Sequence, residues 1–354
     1  MRGHGAASLG DPNNKWTQIK DLIRKNKIGI LALQETHSNP QYIESVNDLY
    51  KHTLHVVNSA NPERPNAHGV ALVINKRLLP TDEMQTWPLI PGRAILARIR
   101  WHKDNYLNIL AVYAPNDPTQ NATFWLAVHT QIAELGLTKP DITLGDFNLV
   151  EDAIDRLPSH SDQRTATDNL QYMIRDYELN DGWRVTNPDS LAFTFGLNNI
   201  GSKSRIDRIY VTKTLLDTAQ DWKITHSDNV NTDHQLISVK LSNKNVPYVG
   251  PGRWNMPKLL LQDKEVIEFI QEKGLNLEQN TAAALRQRTS ENNPQRLFRE
   301  FKIELTTKLR QRARIAVPKI EATIRKLQTN LDTLLQKGMT LRNDQDELSI
   351  ALIQ

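Results

Sequence analysis

The hexapeptide Thr-Leu-Gly-Asp-Phe-Asn, residues 143–148, places a carboxylate and a carboxamide two positions apart at the end of an apolar run. Side chains alternate between the two faces of a β-strand. Asp146 and Asn148 are therefore predicted on one side, with Phe147 on the other. A carboxylate and an amide that converge at a strand end can hold a phosphate oxygen, directly or through a metal ion. Gly-Asp-x-Asn is also a common turn sequence, so this stretch alone leaves both interpretations open.

Four further polar clusters lie at the ends of apolar runs, at residues 34–37, 113–116, 204–208 and 232–234. Each has an ordinary explanation. Glu35 could be a capping acid, and Asp207 could belong to a surface ion pair. Tyr113 could be a rim aromatic, and His234 could be a solvated loop residue. Five such clusters, each at a strand edge, favour one assembled site over five unrelated features.

The elements that must position these residues are short β-branched runs separated by loops. They predict strands over residues 28–33, 69–74, 94–101, 107–113, 142–145, 206–211 and 236–241. Residues 15–26 and 168–179 have the apolar spacing of amphipathic helices. Strands and helices mixed over residues 1–244 predict a single α/β domain built as a sandwich.

The composition is that of a globular protein, with 39% apolar and 24% charged residues among 354. No apolar run approaches the roughly 20 residues that a membrane-spanning helix needs, and no hydrophobic signal segment follows Met1. We therefore expect no membrane partner and an intracellular protein. The absence of cysteine excludes disulfides, thiolate chemistry and Cys-ligated zinc.

A Pro- and Gly-containing linker, predicted at residues 245–256, precedes a charged helical segment at residues 257–354. Residues 246–354 contain 18 Lys/Arg and 13 Asp/Glu, whereas residues 1–245 contain 26 and 27. Pro318 is expected to start a helix. The apolar residues after it have the 4-3-4-3 spacing of a short coiled coil, over only about two heptads: Ile320, Ile324, Leu327, Leu331 and Leu334.

The most basic part of this segment is residues 302–326, with eight basic residues and two acidic ones. Within it, Lys308, Arg310, Arg312 and Arg314 crowd into one stretch. Such a stripe can follow the phosphates of DNA or RNA without reading sequence. It can equally be the solvated face of a helix, and the pattern alone does not separate the two interpretations.

The five clusters, in this order, resemble the motifs of the exonuclease–endonuclease–phosphatase family, which has the DNase I-like fold. The resemblance covers residues 15–241 and is nearest to the apurinic-type endonuclease domains of non-LTR (LINE-like) retrotransposons, fungal ones in particular. Residues 11–16, 31–37 and 233–239 carry it, as does Gly-Pro-Gly-Arg-Trp-Asn at 250–255. In those polyproteins a basic connector and a reverse transcriptase follow the nuclease, and no reverse-transcriptase acid motif occurs here.

The resemblance implies a role for each matching residue. Glu35 would hold Mg²⁺, or Mn²⁺ in its place, with Asp233 close to the metal. Asp146 would activate water, while Asn148 and Tyr113 would contact the phosphate. His234 would also contact the phosphate, with Asp207 fixing its tautomer. Asn116 and Arg205 would position the substrate.

One expected feature of the family is missing, because its members open with a central strand that ends in an asparagine. Residues 1–14 contain no apolar run of that kind, and Asn13 and Asn14 are placed to cap a helix. We therefore expect a chain that begins after the first motif, with an unpaired sheet edge and weakened activity.

Three functions remain open at this stage. The first is a metal-dependent endonuclease that nicks DNA, acting in the nucleus by resemblance. The second is a decayed remnant whose basic helices bind nucleic acid or a partner. The third is a phosphatase with the same fold, because its relatives share the metal and His-Asp residues. The basic tail and the residue 250–255 motif favour the first over the third.

Overall fold

The structure is a computed structural model, and its description covers residues 1, 3–6, 8–11, 13–64, 68–196, 202–225, 230, 232–243, 254–290, 292–336 and 343–353. Two compact units are present. One comprises Met1–Val246 with Leu335–Leu352 and Gln354, and the other comprises Pro247–Leu334 with Ile353. Most of the predicted linker, residues 244–253, lies outside the described residues. No described helix has the length and apolar character needed to cross a membrane.

Thirteen strands occur in the described part of the first unit: β1 Ile30–Gln34, β2 Leu54–Ser59, β3 Val70–Asn75, β4 Gln85–Ile90, β5 Ala94–His102, β6 Asn105–Tyr113, β7 Ile142–Asp146, β8 Arg156–Leu157, β9 Leu179–Asp181, β10 Lys203–Ser204, β11 Asp207–Thr212, β12 Gln220–Thr225 and β13 Leu236–Lys240. Its helices are α1 Lys15–Asn26, α2 Pro40–Leu49, α3 Pro118–Glu134, α4 Arg164–Asp176, α5 Gly182–Thr186 and α6 Lys213–Leu216. The chain continues with α7 Lys264–Arg286, α8 Pro294–Gln336 and α9 Asp344–Ile353.

The first unit is a sandwich of two main sheets with helices on both outer faces. One sheet has three strands in the order β1-β3-β2, and the other has six in the order β4-β5-β6-β7-β11-β9. All neighbouring pairs are antiparallel except β6 and β7, which are parallel. Strands β12 and β13 form a separate antiparallel pair. This is the α/β sandwich that the sequence predicts.

Three apolar clusters hold the layers together. A central cluster joins β3 to β5, β6 and β11 between the sheets, through residues such as Leu72, Ile95 and Ile109. A second packs α3 and α4 on the outer face of the six-stranded sheet, and a third packs α1 and α2 on the three-stranded sheet. Because both faces of the six-stranded sheet are covered, its inner strands are almost entirely buried, which explains their continuous apolar runs.

The beginning of the chain is tied down by α1. The buried Asn14 side chain accepts a hydrogen bond from the Trp16 backbone N–H, which is the capping role predicted for it. Its amide donates to the Ala6 and Ser8 carbonyls and to the Tyr42 hydroxyl. The described residues before α1 form no strand, and their β-pairing is limited to an isolated bridge between Gly5 and Asn14. Strand β1 lies at the edge of its sheet.

The second unit is helical, and its small core lies between α8 and the segment that begins α7. The buried members of this cluster are Leu260, Val266, Leu309 and Ala313. The prediction that Pro318 starts a helix is wrong, because Pro318 lies inside the 43-residue α8. The side chains of Ile320, Ile324 and Leu327 are exposed on α8, and that of Leu331 is outside the described residues.

Candidate active site

Strand pairing brings three of the polar clusters to one edge of the six-stranded sheet. Parallel pairing of β6 and β7 sets Tyr113 beside Asp146, and antiparallel pairing of β11 and β7 sets Asp207 opposite the same Asp146. Glu35 follows the last residue of β1 in the facing sheet, and His234 comes two residues before β13. Five segments distant in sequence thus contribute to one site.

Asp146, Asp207 and His234 form the centre of this site. One ligand atom from each of the three side chains lies within 4.8 Å of the other two, and both carboxylates are buried. Nδ1 of His234 is hydrogen-bonded to Oδ2 of Asp207 at 2.8 Å. This bond engages one ring nitrogen with the carboxylate and leaves Nε2 as the atom for a substrate. The pairing of Asp207 with His234 is therefore present as predicted from the resemblance.

The two acids and the imidazole change one another's protonation. Burial raises the pKa of Asp146 to about 8, and the negative charges of Asp207 and Glu35 act in the same direction. For His234, burial lowers the pKa, but the charge and hydrogen bond of Asp207, together with the charges of Asp146 and Asp233, outweigh it and raise the pKa to about 9. At neutral pH, His234 is therefore a cation within a buried acidic cluster.

Tyr113 links this centre to Glu35. Its hydroxyl donates to Oε1 of Glu35 at 2.8 Å, and burial together with that carboxylate raises the pKa of the phenol well above its usual range. Glu35 has a φ of 53°, in the left-handed region that non-glycine residues seldom adopt. Such backbone conformations are concentrated at functional sites.

Asn148 is positioned by a turn and not by the strand alternation predicted for it. Strand β7 ends at Asp146, so the expected alternation does not extend to Asn148, whose φ is 48°. Its backbone N–H donates to Oδ1 of Asp146 at 2.9 Å, and its side-chain amide donates to the Ala114 carbonyl. The turn therefore both orients the Asp146 carboxylate and holds the Asn148 amide. Phe147 points into the core, stacked on Trp125.

Arg205 does not lie where a substrate could meet it. Its side chain is 1% exposed and binds Asp155 through Nε and Nη2, at 2.7 and 2.6 Å, and Asp181 at 2.7 Å. The buried Arg208 and the largely buried Arg184 also pair with Asp155. The expectation that Arg205 positions substrate is corrected, because its guanidinium is engaged by the buried acids Asp155 and Asp181.

Three residues near the site carry no motif signal in the sequence. The buried Thr194 hydroxyl accepts hydrogen bonds from the backbone N–H groups of Ile206 and Asp207, and the Phe195 ring lies 4.9 Å from that of His234. The Arg93 guanidinium lies 4.5 Å from the centre of the Tyr113 ring and donates to the carbonyls of Tyr113 and Ala114 at the end of β6. The alternating Phe193-Thr194-Phe195 run could have indicated the first two.

The remaining predicted residues are dispersed. Asn116 is exposed on the loop after β6, and Asp233 precedes His234 and contributes to its raised pKa. In the second unit, Arg312 pairs with Asp263 and Glu265 at 2.7 Å each, and Lys308 lies 3.7 Å from Glu265. Arg310 and Arg314 are exposed. The four basic residues therefore divide into two with acidic partners and two on the surface.

The donor set at the centre fits a divalent metal ion. Asp146 and Asp207 contribute carboxylate oxygens, which are the hard ligands that Mg²⁺ and Mn²⁺ prefer, and His234 contributes a ring nitrogen. The raised pKa of Asp146 has the same implication, since a carboxyl that holds a proton because of burial and neighbouring anions is a place where a cation can replace that proton.

The comparisons with known proteins agree with this geometry. The sequence pattern of the Endonuclease/Exonuclease/phosphatase family matches residues 7–229. The "Transposon TX1 uncharacterized 149 kDa protein" of Xenopus laevis is 28% identical over 263 residues, covering 72% of this chain. The chain spans 19% of that relative's length.

Two solved structures share the fold, and each similarity covers 64% of this chain and 94% of the chain of the solved structure. They are a 3′-5′ exonuclease (NExo) from Neisseria meningitidis, with a TM-score of 0.52 and 20% identity, and an AP endonuclease from Archaeoglobus fulgidus, with a TM-score of 0.52 and 18% identity. At such identities the similarity extends to the fold alone.

Proposed function

This chain belongs to the endonuclease/exonuclease/phosphatase family, and we propose that it is a divalent-metal-dependent endonuclease that nicks DNA. The observation that carries the proposal is the buried centre of Asp146, Asp207 and His234, whose ligand atoms lie within 4.8 Å of one another. The Asp207 carboxylate helps to keep the His234 imidazole charged at neutral pH, and a charged imidazole can donate to a phosphate oxygen.

The residues divide the work of phosphodiester hydrolysis among them. His234, protonated at neutral pH, donates from Nε2 to a phosphate oxygen, while Asp207 holds the ring through Nδ1. Asp146 accepts the proton of the attacking water when its carboxyl is ionised. The Asn148 amide, which gives one N–H to the Ala114 carbonyl, has a second N–H for the phosphate. The Tyr113 hydroxyl, which donates to Glu35, would be a further donor on release from that carboxylate.

Mg²⁺ is the proposed cofactor, with Mn²⁺ as a substitute. Glu35 would hold it, with Asp146 contributing and Asp233 nearby. When bound, the ion would neutralise charge on the phosphoryl group and on the leaving oxygen. Arg93 is proposed as an additional substrate contact, because its guanidinium is fixed beside Tyr113 and its charge is felt at Glu35 and Asp146.

Nicking of a supercoiled plasmid tests the proposal. We expect Mg²⁺-dependent conversion to the open circle, abolished by EDTA and lowered at least about a hundredfold in His234→Ala. The matched control is His129→Ala, which removes another histidine bonded to an aspartate, Asp176 at 3.1 Å, on the surface of α3. That variant should nick at the wild-type rate.

Other outcomes distinguish the remaining functions. A folded chain that does not nick, with either metal, would support a decayed remnant. Release of phosphate from inositol phosphates or from 3′-phosphate DNA ends, without nicking, would support a phosphatase. Nicking that persists in His234→Ala would contradict the assignment of the centre.

A further inference from the structure

One sequence motif and one charged surface are left outside the proposed active site. The motif is the Gly-Pro-Gly-Arg-Trp-Asn stretch, of which Trp254 and Asn255 are described, and the surface is the basic stripe of α8. They meet in the second unit, where the Arg310 guanidinium lies 5.3 Å from the centre of the Trp254 ring. Neither residue takes part in the small core of that unit.

Trp254 is unusually accessible. It is 39% exposed, whereas every other tryptophan in the part of the chain that the structure describes is buried or only partly exposed. Met256, two residues later, packs against the core and so fixes the backbone that carries the indole. A large aromatic ring held at the surface beside an arginine is a typical stacking platform for an unpaired base.

The charges around it are arranged to leave a positive surface. Arg312 is held by Asp263 and Glu265, and Lys308 lies near Glu265, so these two complete the contact between α8 and the start of α7. Arg310 and Arg314 are exposed, one helical turn apart, and no described carboxylate lies within ion-pair distance of either. The two guanidinium groups can therefore contact successive phosphates of one nucleic-acid strand.

We propose that Trp254, Arg310 and Arg314 form a binding site for single-stranded nucleic acid, separate from the nuclease centre. One base stacks on the Trp254 ring, and the two guanidinium groups contact the adjacent phosphates. Duplex DNA satisfies only the phosphate contacts, because its bases are already stacked on one another. The site therefore prefers single strands and does not read sequence.

The test measures binding by fluorescence anisotropy with the full chain in EDTA. The probes are labelled oligothymidylate and oligouridylate of about 20 nucleotides and a duplex of the same length. We expect single strands to bind more tightly than the duplex. Trp254→Ala should weaken single-strand binding about tenfold, whereas Trp254→Phe, which keeps an aromatic face, should stay within about twofold of wild type.

The charges are tested by the salt dependence of the same binding. Arg310→Ala/Arg314→Ala should lower the slope of log affinity against log salt by about 1.4, the value for two single-strand phosphate contacts. The control is Lys319→Ala, which removes an exposed charge nine residues after Arg310, on the opposite side of α8. It should leave the affinity for single strands nearly unchanged.

Two results would overturn the inference. One is equal loss of affinity in Trp254→Ala and Lys319→Ala, with circular dichroism showing an unchanged helix content for both variants. The other is duplex binding as tight as single-strand binding and equally sensitive to Trp254→Ala. Because no cleavage is measured, a failure here leaves the nicking proposal untouched, and the reverse also holds.

Discussion

At the scale of single residues, the site depends on a few acidic groups that are buried away from water and therefore need partners within the protein. Asp207 and Asp146 are buried side by side, and the imidazole of His234 supplies the nearest compensating charge. Behind Asp207, the buried Asp155 pairs with Arg184, Arg205 and Arg208, and Asp181 pairs with the last two.

The charged state of His234 has a consequence for stability. Its pKa in the folded chain, about 9, lies above the ordinary 6.5, so protonation stabilises the fold. This contribution is complete below pH 6.5 and is lost as the pH rises through 9. In EDTA, the unfolding free energy of the wild type should therefore fall by up to about 3 kcal/mol more than that of His234→Gln over this range.

Urea unfolding at several pH values, followed by circular dichroism, measures the difference. His129→Gln is the control, because its partner Asp176 lies on the surface, and it should follow the wild-type pH dependence. Parallel curves for the wild type and His234→Gln would contradict a buried, charged His234.

At the scale of elements, the sequence predicts the central strands well. The runs at 94–101, 107–113 and 142–145 became β5, β6 and β7 almost unchanged, because strands buried on both faces are continuously apolar. The strand β4, by contrast, lies at an edge and contains Pro88 and the exposed Gln85, and no strand was predicted there. Helix α4 ends at Asp176, and Leu179, expected in it, begins β9.

The site was predictable for a different reason. Five of the predicted residues lie at or beside a strand end: Glu35, Tyr113, Asp146, Asp207 and His234. Strand prediction and residue type together therefore indicated one site at the ends of these strands. Thr194 and Arg93 were missed because a hydroxyl that receives two backbone N–H groups, or an arginine over a tyrosine, is recognised only from three-dimensional contacts. Arg205 was misassigned, since an arginine beside a catalytic acid looks the same in sequence whether it faces substrate or the core.

The junction of β6 and β7 makes a prediction at this scale. Gly145 has a φ of 143°, and a Cβ there would lie 2.0 Å from the Val112 carbonyl oxygen on β6. Gly145→Ala must therefore push apart the two strands that align Tyr113 with Asp146. We expect a loss of about 3 kcal/mol of stability or more, and loss of nicking even where the chain stays folded.

Thermal unfolding and the plasmid assay measure these effects together. The matched control is Gly274→Ala in the interior of α7, where a Cβ meets nothing within 4 Å. That change should stabilise the helix by up to about 1 kcal/mol and leave nicking unchanged. A Gly145→Ala chain with wild-type nicking would show that the spacing of β6 and β7 does not set the geometry of the centre.

At the scale of the whole molecule, the chain has separate cores of very different size. The first unit has three extensive clusters, whereas the apolar cluster in the described part of the second has four buried residues, among them Leu309. Small cores give marginal stability, so the second unit should open at lower free energy than the sandwich. The two proposed activities, nicking and single-strand binding, should therefore be separable by substitutions in the two cores.

Leu309→Ala tests this separation. Leu309 is 6% exposed, and its truncation should cost about 2–5 kcal/mol, enough to unfold a unit with so small a core. Hydrogen exchange should then show loss of protection in α7 and α8 with β5, β6 and β7 unchanged, and single-strand affinity should fall while nicking persists. Leu110→Ala, at a fully buried position of β6, should have the opposite effect and abolish nicking first. Loss of both activities in Leu309→Ala would mean that the sandwich depends on the helical unit for its own stability.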